Sequence, residues 1–517
     1  ETGTEFLRMY EYERCKELYR NIDFYLHGEH LAAYVRMINP KDEKIPSYWW
    51  TNIAVPEEKQ VRIFSGTQEV IYIKPSSNES QNATKGMGHG QLPNLASLPG
   101  RDASYPENFD YASEYFFQNE KTPDQTWEAA VYNDNTVFYE RSSTFLPYRK
   151  MFCWGKHRGG KRWQDFLSCE DSADYVEIQA GLAPTQVHGI IMDEKAVWDF
   201  VQIFGGTSLD YGQVNGEWNA GRQKVFEKID TELPGETIEI LLEKYRKNAK
   251  NPPIRMLHSG NGFGAIEEIR SPGSTPEGLI FPQASIGEKE LMWLNLLRHK
   301  QINDIDIFDF PKSYMIDMRY ENLLLEACDK NSYTACNLLG IMYLENGFDD
   351  KAKEYFKKSV SILPNPLAYR NLYIVEKEND KEQALIYFNK AIELLEDNVT
   401  REYAEEYIDA LNERKLFSKA WDFYATLKDD VKESQRVLLK MLEPAVESEN
   451  LDFLKAQYRK EFATVREGER GLTEYYFAYQ ALCEAKEKGI PFTKELTEKY
   501  VAKNDVPYEF DFRLAQI

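Results

Sequence analysis

A repeated spacing in the C-terminal half places the strongest constraint on the fold of this 517-residue chain. Alanines at positions 352, 384 and 420 lie 32 and 36 residues apart, and an aromatic residue follows each of them four positions later. Residues four apart lie on one face of a helix. The small alanine lets two helices approach, and the aromatic ring fills the space beside it. The spacing therefore predicts packed helix pairs that repeat about every 34 residues.

The remainder of the chain divides by the character of its sequence. From about residue 289 the pattern is helical throughout, so residues 289–517 are expected to form an α-solenoid of tetratricopeptide type. Residues 1–190 contain short runs of aromatic and β-branched residues between Pro, Gly and Asn, which predicts β-strands. Within them, 75–110 is rich in Ser, Asn, Gly and Pro and is expected to be a long loop. Residues 191–288 are expected to be a helical and irregular connector, with helices over 195–204 and 221–250.

Charge and cysteine spacing exclude several classes of function. The formal net charge of −22, with no basic stripe, argues against binding to nucleic acid. No apolar run is long enough to predict a membrane span. The six cysteines form no Cys-x-x-Cys pair and no metal-binding histidine motif occurs, so no metal or organic cofactor is expected. Cys328 and Cys336 lie in a helical region, are expected to be buried free thiols, and fit a reducing, cytoplasmic location.

The run Asp174–Gly181 holds the first candidate for chemistry. Its alternation predicts a strand, so Glu177 and Gln179 should lie side by side on one face. Two interpretations carry equal weight. The strand has a polar side turned to solvent, or it faces a sugar with Glu177 as acid or base. His188 follows this strand closely and is expected to return to the same cleft.

Two tryptophans and a glycine-rich run are further candidates. Trp49 and Trp50 should face opposite ways, one into the core and the other as a platform for a sugar ring, unless both are structural. The run 154–163 is expected to be a loop that binds polar or anionic sugar groups, unless it is a solvated hairpin tip. His157 is its expected general acid. Its other expected sugar contacts are Trp154, Arg158, Arg162 and Trp163.

Three blocks of sequence resemble a known family. They are 149–167, which begins Arg-Lys-Met-Phe-Cys-Trp, 175–181 and 45–56. Together they are similar to an uncharacterised, mainly bacterial family in which a galactose-mutarotase-like β-supersandwich is fused to C-terminal tetratricopeptide repeats. The resemblance also implies further β structure before the first residue. Since the chain does not begin with Met, it is expected to be a fragment.

The resemblance places Glu177 in a catalytic position, whereas the acid histidine of the family has no counterpart in this sequence. In aldose mutarotases a strand reading Leu-Glu-Thr-Gln carries the base that deprotonates the anomeric hydroxyl, and the similar strand here places Glu177 in that position. Mutarotases also carry an acid histidine in an Asn-His-x-Tyr-Phe-Asn block. The similar block here is 48–52, in which Asn52 matches but Trp or Thr stands in place of the histidine. This departure disfavours simple mutarotation and leaves sugar binding.

The sequence thus predicts an antiparallel β-supersandwich, N-terminally incomplete, followed by a tetratricopeptide-type α-solenoid. The expected function is binding, and in one hypothesis epimerase-like conversion, of a mono- or oligosaccharide in the β cleft, with a protein partner on the repeats. One alternative is a glycoside hydrolase that pairs Glu177 with Asp165 or Asp174. The other is a non-catalytic scaffold whose working surface is the solenoid.

Overall fold

A computed structural model describes residues 5–73, 86–169 and 172–515. The chain forms two compact units. The β unit comprises residues 1–260, 273–281 and 513–517, and the helical unit comprises residues 261–272 and 282–512. The stretch expected to be a connector, 191–288, is therefore divided between the two units.

The β unit is built from antiparallel strands. Among the described residues they are, in chain order, β1 (Leu7–Glu13), β2 (Leu18–His27), β3 (His30–Ile38), β4 (Ile45–Ser47), β5 (Trp50–Pro56), β6 (Arg62–Ser65), β7 (Glu69–Ile73), β8 (Met87–Gln91), β9 (Ser113–Phe117), β10 (Trp127–Val131), β11 (Thr136–Ser142), β12 (Tyr148–Cys153), β13 (Tyr175–Gly181), β14 (Ile190–Met192) and β15 (Val197–Ser208). Strand β8 lies in the stretch expected to be a loop, whose residues 75–85 fall outside the described part of the chain.

The strands form two large sheets and a small one. The first has the order β1-β2-β3-β15-β11-β10-β6, and the second has the order β5-β13-β12-β9-β7-β8. Strands β4 and β14 pair separately. Apolar side chains of both large sheets meet in one core cluster, to which β13 contributes Val176 and Ile178 and β11 contributes Tyr139. This two-layer antiparallel arrangement confirms the predicted β-supersandwich class.

The helix predicted over 195–204 is wrong. These residues belong largely to β15, which pairs with β3 on one side and β11 on the other. Phe200, Val201 and Ile203 are fully buried, because a central strand is covered on its faces by the rest of the sandwich. A nearly continuous apolar run of this kind does not distinguish a buried strand from a buried helix by periodicity. The β-branched and aromatic composition was the better indicator.

Seventeen α-helices occur in the described residues. Those of the β unit are α1 (Arg158–Leu167), α2 (Trp218–Glu232) and α3 (Gly235–Asn248). Those of the helical unit are α4 (Phe263–Arg270), α5 (Glu288–His299), α6 (Glu321–Asp329), α7 (Tyr333–Glu345), α8 (Asp349–Ile362), α9 (Pro366–Glu376), α10 (Lys381–Leu395), α11 (Arg401–Asn412), α12 (Phe417–Thr426), α13 (Asp429–Lys432), α14 (Gln435–Glu447), α15 (Leu451–Gln457), α16 (Gly471–Lys488) and α17 (Lys494–Val501).

The predicted helix pairs are present in the helical unit. The three repeat alanines lie in α8, α10 and α12, the second helices of successive pairs, and all three are fully buried. The aromatic rings of Phe356 and Phe388 are also fully buried. Gly340 in α7 lets the Phe356 ring pack directly on the helix, since a Cβ atom there would lie 2.5 Å from that ring. These contacts confirm the repeat that the spacing predicts.

Cys328 and Cys336 are not the free thiols that the sequence predicts. Their sulfurs form a disulfide between α6 and α7, with the Cα atoms 5.0 Å apart. The short turn between the two helices brings the residues within the distance that a disulfide spans. None of the described helices combines the length and apolar character that crossing a bilayer requires.

A buried ion pair joins the two large sheets of the β unit. Arg149 on β12 and Glu140 on β11 are both fully buried, and the guanidinium donates to the carboxylate. Arg149 also donates to the Thr126 carbonyl and the Ser142 hydroxyl, each at 2.8 Å. Gln202 on β15 donates to the other oxygen of Glu140 at 2.9 Å. The two charges of this pair are therefore neutralised by each other and hydrogen-bonded to further groups, which lowers the cost of burying them.

A second buried carboxyl predicts a pH dependence of stability. Burial, and next the neighbouring Glu140 carboxylate, raise the pKa of Glu128 well above its ordinary value of 4.5. Above that value the unfolded chain has lost this proton while the folded chain retains it. Each pH unit should therefore lower the free energy of unfolding by about 1.4 kcal/mol until the pH passes the folded-state pKa. We expect Glu128→Gln to remove this contribution in urea unfolding between pH 5.5 and 7.5. Parallel pH profiles for the two proteins would contradict it.

Candidate functional site

The candidate site lies on one face of the six-stranded sheet. In its register, Glu177 on β13 stands between Ala54 on β5 and Phe152 on β12. Two residues further along, Gln179 stands between Asn52 and Lys150. Since strand side chains alternate, these residues share the face that lies opposite the core side chains. We call this surface the Glu177 face.

Two side-chain amides hold the Glu177 carboxylate. Asn52 Nδ2 and Gln179 Nε2 each donate to Glu177 Oε2 at 2.8 Å. Asn52 comes from β5 and is exposed, whereas Gln179 is only 2% exposed. The carboxylate is thus fixed in position by groups on its own strand and on the neighbouring one. A preset carboxylate of this kind can accept further hydrogen bonds from hydroxyl groups of a ligand.

The hydrogen-bond chain continues beyond Gln179. Gln186, in the turn after β13, donates to Gln179 Oε1 at 2.6 Å. Lys150 Nζ donates to Gln186 Oε1 at 2.6 Å and forms an ion pair with Glu114 at 2.5 Å. Lys150 is 4% exposed, so its ammonium group is largely removed from water. The chain therefore links two carboxylates, Glu177 and Glu114, across the three adjacent strands β13, β12 and β9.

Sequence reasoning missed Lys150, Glu114 and Gln186. Alternation within each strand indicates which residues share a face, but it does not indicate which strands are neighbours. The pairing of β12 with both β13 and β9 brings Lys150 and Glu114 to the Glu177 face. In the sequence, the alternation of Tyr148, Lys150 and Phe152 indicates that these three side chains share one face of their strand, but it does not indicate that this face is the one that carries Glu177. The carboxylates here accept from amide and ammonium donors, which is not the environment of a metal ligand set.

The two adjacent tryptophans lie on opposite sides of the sheet. Trp49 packs inside, with Phe200 at a centroid distance of 5.5 Å, and its Nε1 donates to Thr51 Oγ1 at 3.0 Å. Trp50 lies on the Glu177 face, edge-on to Phe116 at 5.7 Å. Its ring covers Gly181, where a Cβ atom would lie 2.2 Å from Trp50 Cε2. Only a glycine at that position leaves room for the indole.

The run 154–163 is not the loop that the sequence predicts. Helix α1 begins at Arg158, and His157 caps it by accepting from the Gly159 N–H at 3.2 Å. The His157 ring also stacks on Tyr111 at 4.7 Å. The glycines serve packing, since a Cβ atom at Gly160 would lie 2.1 Å from the Trp154 carbonyl oxygen. The glycines are expected in a binding loop, whereas in the structure they permit a helix to begin close to the preceding chain.

The other residues of this run contribute mainly to packing. Trp154 and Trp163 are buried and their rings stack with the centroids 6.2 Å apart, so their surroundings are those of packed core residues and differ from the sugar contacts expected of them. Arg158 is exposed and Arg162 lies over the Phe166 ring at 5.4 Å. The helix as a whole is joined to the start of β13, because the Tyr175 N–H donates to Gln164 Oε1 at 3.0 Å.

The remaining predicted residues lie near the ends of β13. His188 is exposed in the turn after the strand, and its Nδ1 is 2.7 Å from Thr185 Oγ1. Asp174, expected as a second carboxylate, forms an ion pair with Lys161 at 2.5 Å. Asp165 is exposed on α1. The second carboxylate on the Glu177 face is Glu114, and neither of the two predicted residues occupies that position.

Comparison with known proteins supports the architecture. A family model described as the NUP160/120 middle TPR matches residues 310–413. A TPR-domain containing protein from Parabacteroides distasonis has a similar structure over 98% of this chain and 77% of its own, with 14% identity and a TM-score of 0.60. No curated protein matches the chain.

Two structures resemble the β unit more distantly. A putative aldose 1-epimerase from Escherichia coli K12 is 10% identical over 40% of this chain and 66% of its own, with a TM-score of 0.30. A galactose mutarotase-like protein from Clostridium acetobutylicum is 11% identical over 40% and 64%, with a TM-score of 0.29. At these scores the matches say nothing about what this chain binds. The two-sheet topology, the helix pairs and the nearly full-length match fit the predicted architecture of a two-sheet antiparallel β domain followed by tetratricopeptide-type helix pairs.

Proposed function

We propose that the β unit binds a mono- or oligosaccharide on the Glu177 face. The observation that carries this proposal is the hydrogen-bond chain from Asn52 to Glu114, with the Trp50 indole on the same face. Sugar sites need fixed donors and acceptors beside an apolar surface, because a pyranose ring presents hydroxyls at its rim and C–H groups on its faces. In this proposal Glu177 accepts from ligand hydroxyls, while Asn52 and Gln179 orient them.

The hydrogen-bond partners of the two carboxyls favour binding over hydrolysis. A glycoside hydrolase with paired carboxyls needs one of them to donate a proton to the leaving group. Glu114 forms an ion pair with Lys150 and Glu177 accepts from two side-chain amides, so both carboxyls act as hydrogen-bond acceptors in this arrangement. Epimerase-like conversion would need an acid opposite Glu177, a role that we assign to His157 only as a second hypothesis. Arg158, Arg162 and His188 are proposed as outer contacts of a longer ligand.

The helical unit is proposed to hold a protein partner. Its helix pairs and the match of residues 310–413 to a TPR family model support this assignment. Stacked pairs present an extended surface that suits a peptide or a protein segment. A scaffold without sugar binding remains the competing hypothesis, and the sugar titration below distinguishes the two.

Replacing Glu177 with alanine should weaken sugar binding by roughly 10- to 100-fold, the effect of losing hydrogen bonds to a charged group. The measurement is calorimetric titration of the full chain with a panel of neutral mono- and oligosaccharides. Glu11→Ala is the matched control, because Glu11 is an exposed glutamate on the first sheet. Trp50→Ala should weaken binding as well, through lost stacking.

Two outcomes decide between the hypotheses. If the unaltered chain binds a sugar and Glu177→Ala binds it with the same affinity, the proposed site is contradicted. If none of the sugars in the panel produces a heat of binding, the scaffold hypothesis is favoured. A parallel assay of anomer exchange and glycoside cleavage tests conversion, and turnover lost in Glu177→Gln with affinity retained would establish an enzyme.

A further inference from the structure

A short segment of the chain lies against the first helices of the repeats. Residues 304–310 read Asp-Ile-Asp-Ile-Phe-Asp-Phe and belong to the connection between α5 and α6. We call them the acidic–aromatic segment. It contains no helix or strand, only a turn in which the Asp309 N–H donates to the Asp306 carbonyl at 3.0 Å. All of its contacts described below are within the helical unit.

The beginning of the segment is bound at the start of α7. Asp304 Oδ1 accepts from the Ser332 hydroxyl at 2.8 Å and from the Thr334 N–H at 3.0 Å. The Ile305 N–H donates to Thr334 Oγ1 at 3.2 Å, and the Tyr333 hydroxyl donates to the Ile305 carbonyl. A carboxylate at a helix N-terminus is favoured by the exposed N–H groups there. Both a side chain and the main chain of the segment are thus recognised, as in a bound peptide.

The end of the segment reaches α11, two helix pairs further along the stack. The Phe310 ring stacks on Tyr403 with the centroids 5.4 Å apart and the planes at 24°. Helix α9 lies between the two contacts and is tied to both neighbours. Asn371 on α9 donates to Asn337 on α7 at 3.0 Å, and Arg370 on α9 donates to Glu406 on α11. The segment therefore runs along the row of first helices α7, α9 and α11, which we call the first-helix row.

The aromatic residues of the segment are only partly covered. Phe308 is 39% exposed and Phe310 is 42% exposed. Ile305 and Ile307 are half-buried. The polar contacts at Asp304 are specific, whereas much of the available apolar area remains in water. A segment of similar chemistry that buried its rings more fully would compete with this one for the same surface.

We propose that the first-helix row is the binding surface for a partner protein's segment of alternating acidic and aromatic residues, and that residues 304–310 occupy it until such a segment displaces them. The proposal gives a chemical class to the partner suggested above for the helical unit and is independent of sugar binding. Asp304 supplies the anchor at α7, and Tyr403 supplies the aromatic contact at α11. The partner's segment would use the same two positions.

The test uses the full chain and a fluorescein-labelled peptide with the sequence of residues 302–312. Fluorescence anisotropy should give at least tenfold tighter binding to Asp304→Ala/Phe310→Ala than to the unaltered chain, since the double substitution releases the internal competitor. Adding Tyr403→Ala to the released variant should abolish the gain. Phe348→Ala is the control, because Phe348 is similarly exposed and packs on Tyr343 in α7. Equal affinity for all variants, or binding to none, would overturn the proposal.

A second measurement does not depend on a substituted chain. Hydrogen exchange of the unaltered protein should show residues 304–310 exchanging at least severalfold faster when the peptide is present in excess. Unchanged exchange in a chain that binds the peptide would place the peptide elsewhere and overturn the inference. Sugar binding by the same preparation is measured in a separate titration. A negative result with the peptide therefore does not contradict the proposed sugar site on the Glu177 face.

Discussion

Arg149→Met should lower the free energy of unfolding of the β unit by about 3–5 kcal/mol, the cost of breaking a buried ion pair by removing one partner. The substitution leaves the Glu140 carboxylate without its counter-charge between the sheets, where it retains the hydrogen bond from Gln202. It also leaves the Thr126 carbonyl and the Ser142 hydroxyl without their Arg149 donor. Urea unfolding, with hydrogen exchange to locate the transition in β11 and β12, measures the loss.

Two further variants make this test specific. Arg101→Met removes an exposed arginine that pairs with Asp110 at 2.9 Å, and it should cost less than about 1 kcal/mol. Adding Glu140→Gln to Arg149→Met should recover part of the loss, because it removes the buried charge. A loss no larger than that of Arg101→Met would mean that the ion pair does not hold the sheets together.

Phe388→Ala should destabilise the helical unit by about 3–5 kcal/mol, the usual cost of a large cavity in a core. The Phe388 ring is fully buried and contacts Tyr373 at 4.7 Å and Tyr407 at 5.1 Å, so it joins α10 to the helices on either side. Ile386→Ala is the control, because Ile386 lies on the same helix and is largely exposed. Its loss should be under about 1 kcal/mol. Equal losses for the two variants would contradict the packing described here.

The helical unit was predictable because its signals are local. An alanine and an aromatic residue four positions apart mark the face of one helix, and the repeat of that pair marks the stack. The β unit depends on pairing between distant strands. Its strand β15 was mistaken for a helix because a buried central strand has no alternation of polar and apolar residues.

In the candidate site, too, the residues with local sequence signals were predictable and those that depend on strand pairing were not. Alternation within one strand was sufficient to place Glu177 and Gln179 side by side, and the neighbouring block supplied Asn52. The partners Lys150 and Glu114 depend on strand order, which a single sequence does not encode locally. The glycines of the run 154–163 were interpreted as a loop, but their role is to let α1 pack closely. The glycine content of this run indicates a backbone that approaches other groups closely, but it does not indicate that the neighbouring group is the start of a helix.

Crystals of the full chain soaked with the best ligand from the titration panel would show directly whether a sugar binds on the Glu177 face. We expect density for a sugar within hydrogen-bond distance of the Glu177 carboxylate, with a ring face on the Trp50 indole. Density bound elsewhere on the chain, with the Asn52–Glu177–Gln179 hydrogen bonds left without a ligand, would contradict the proposed site.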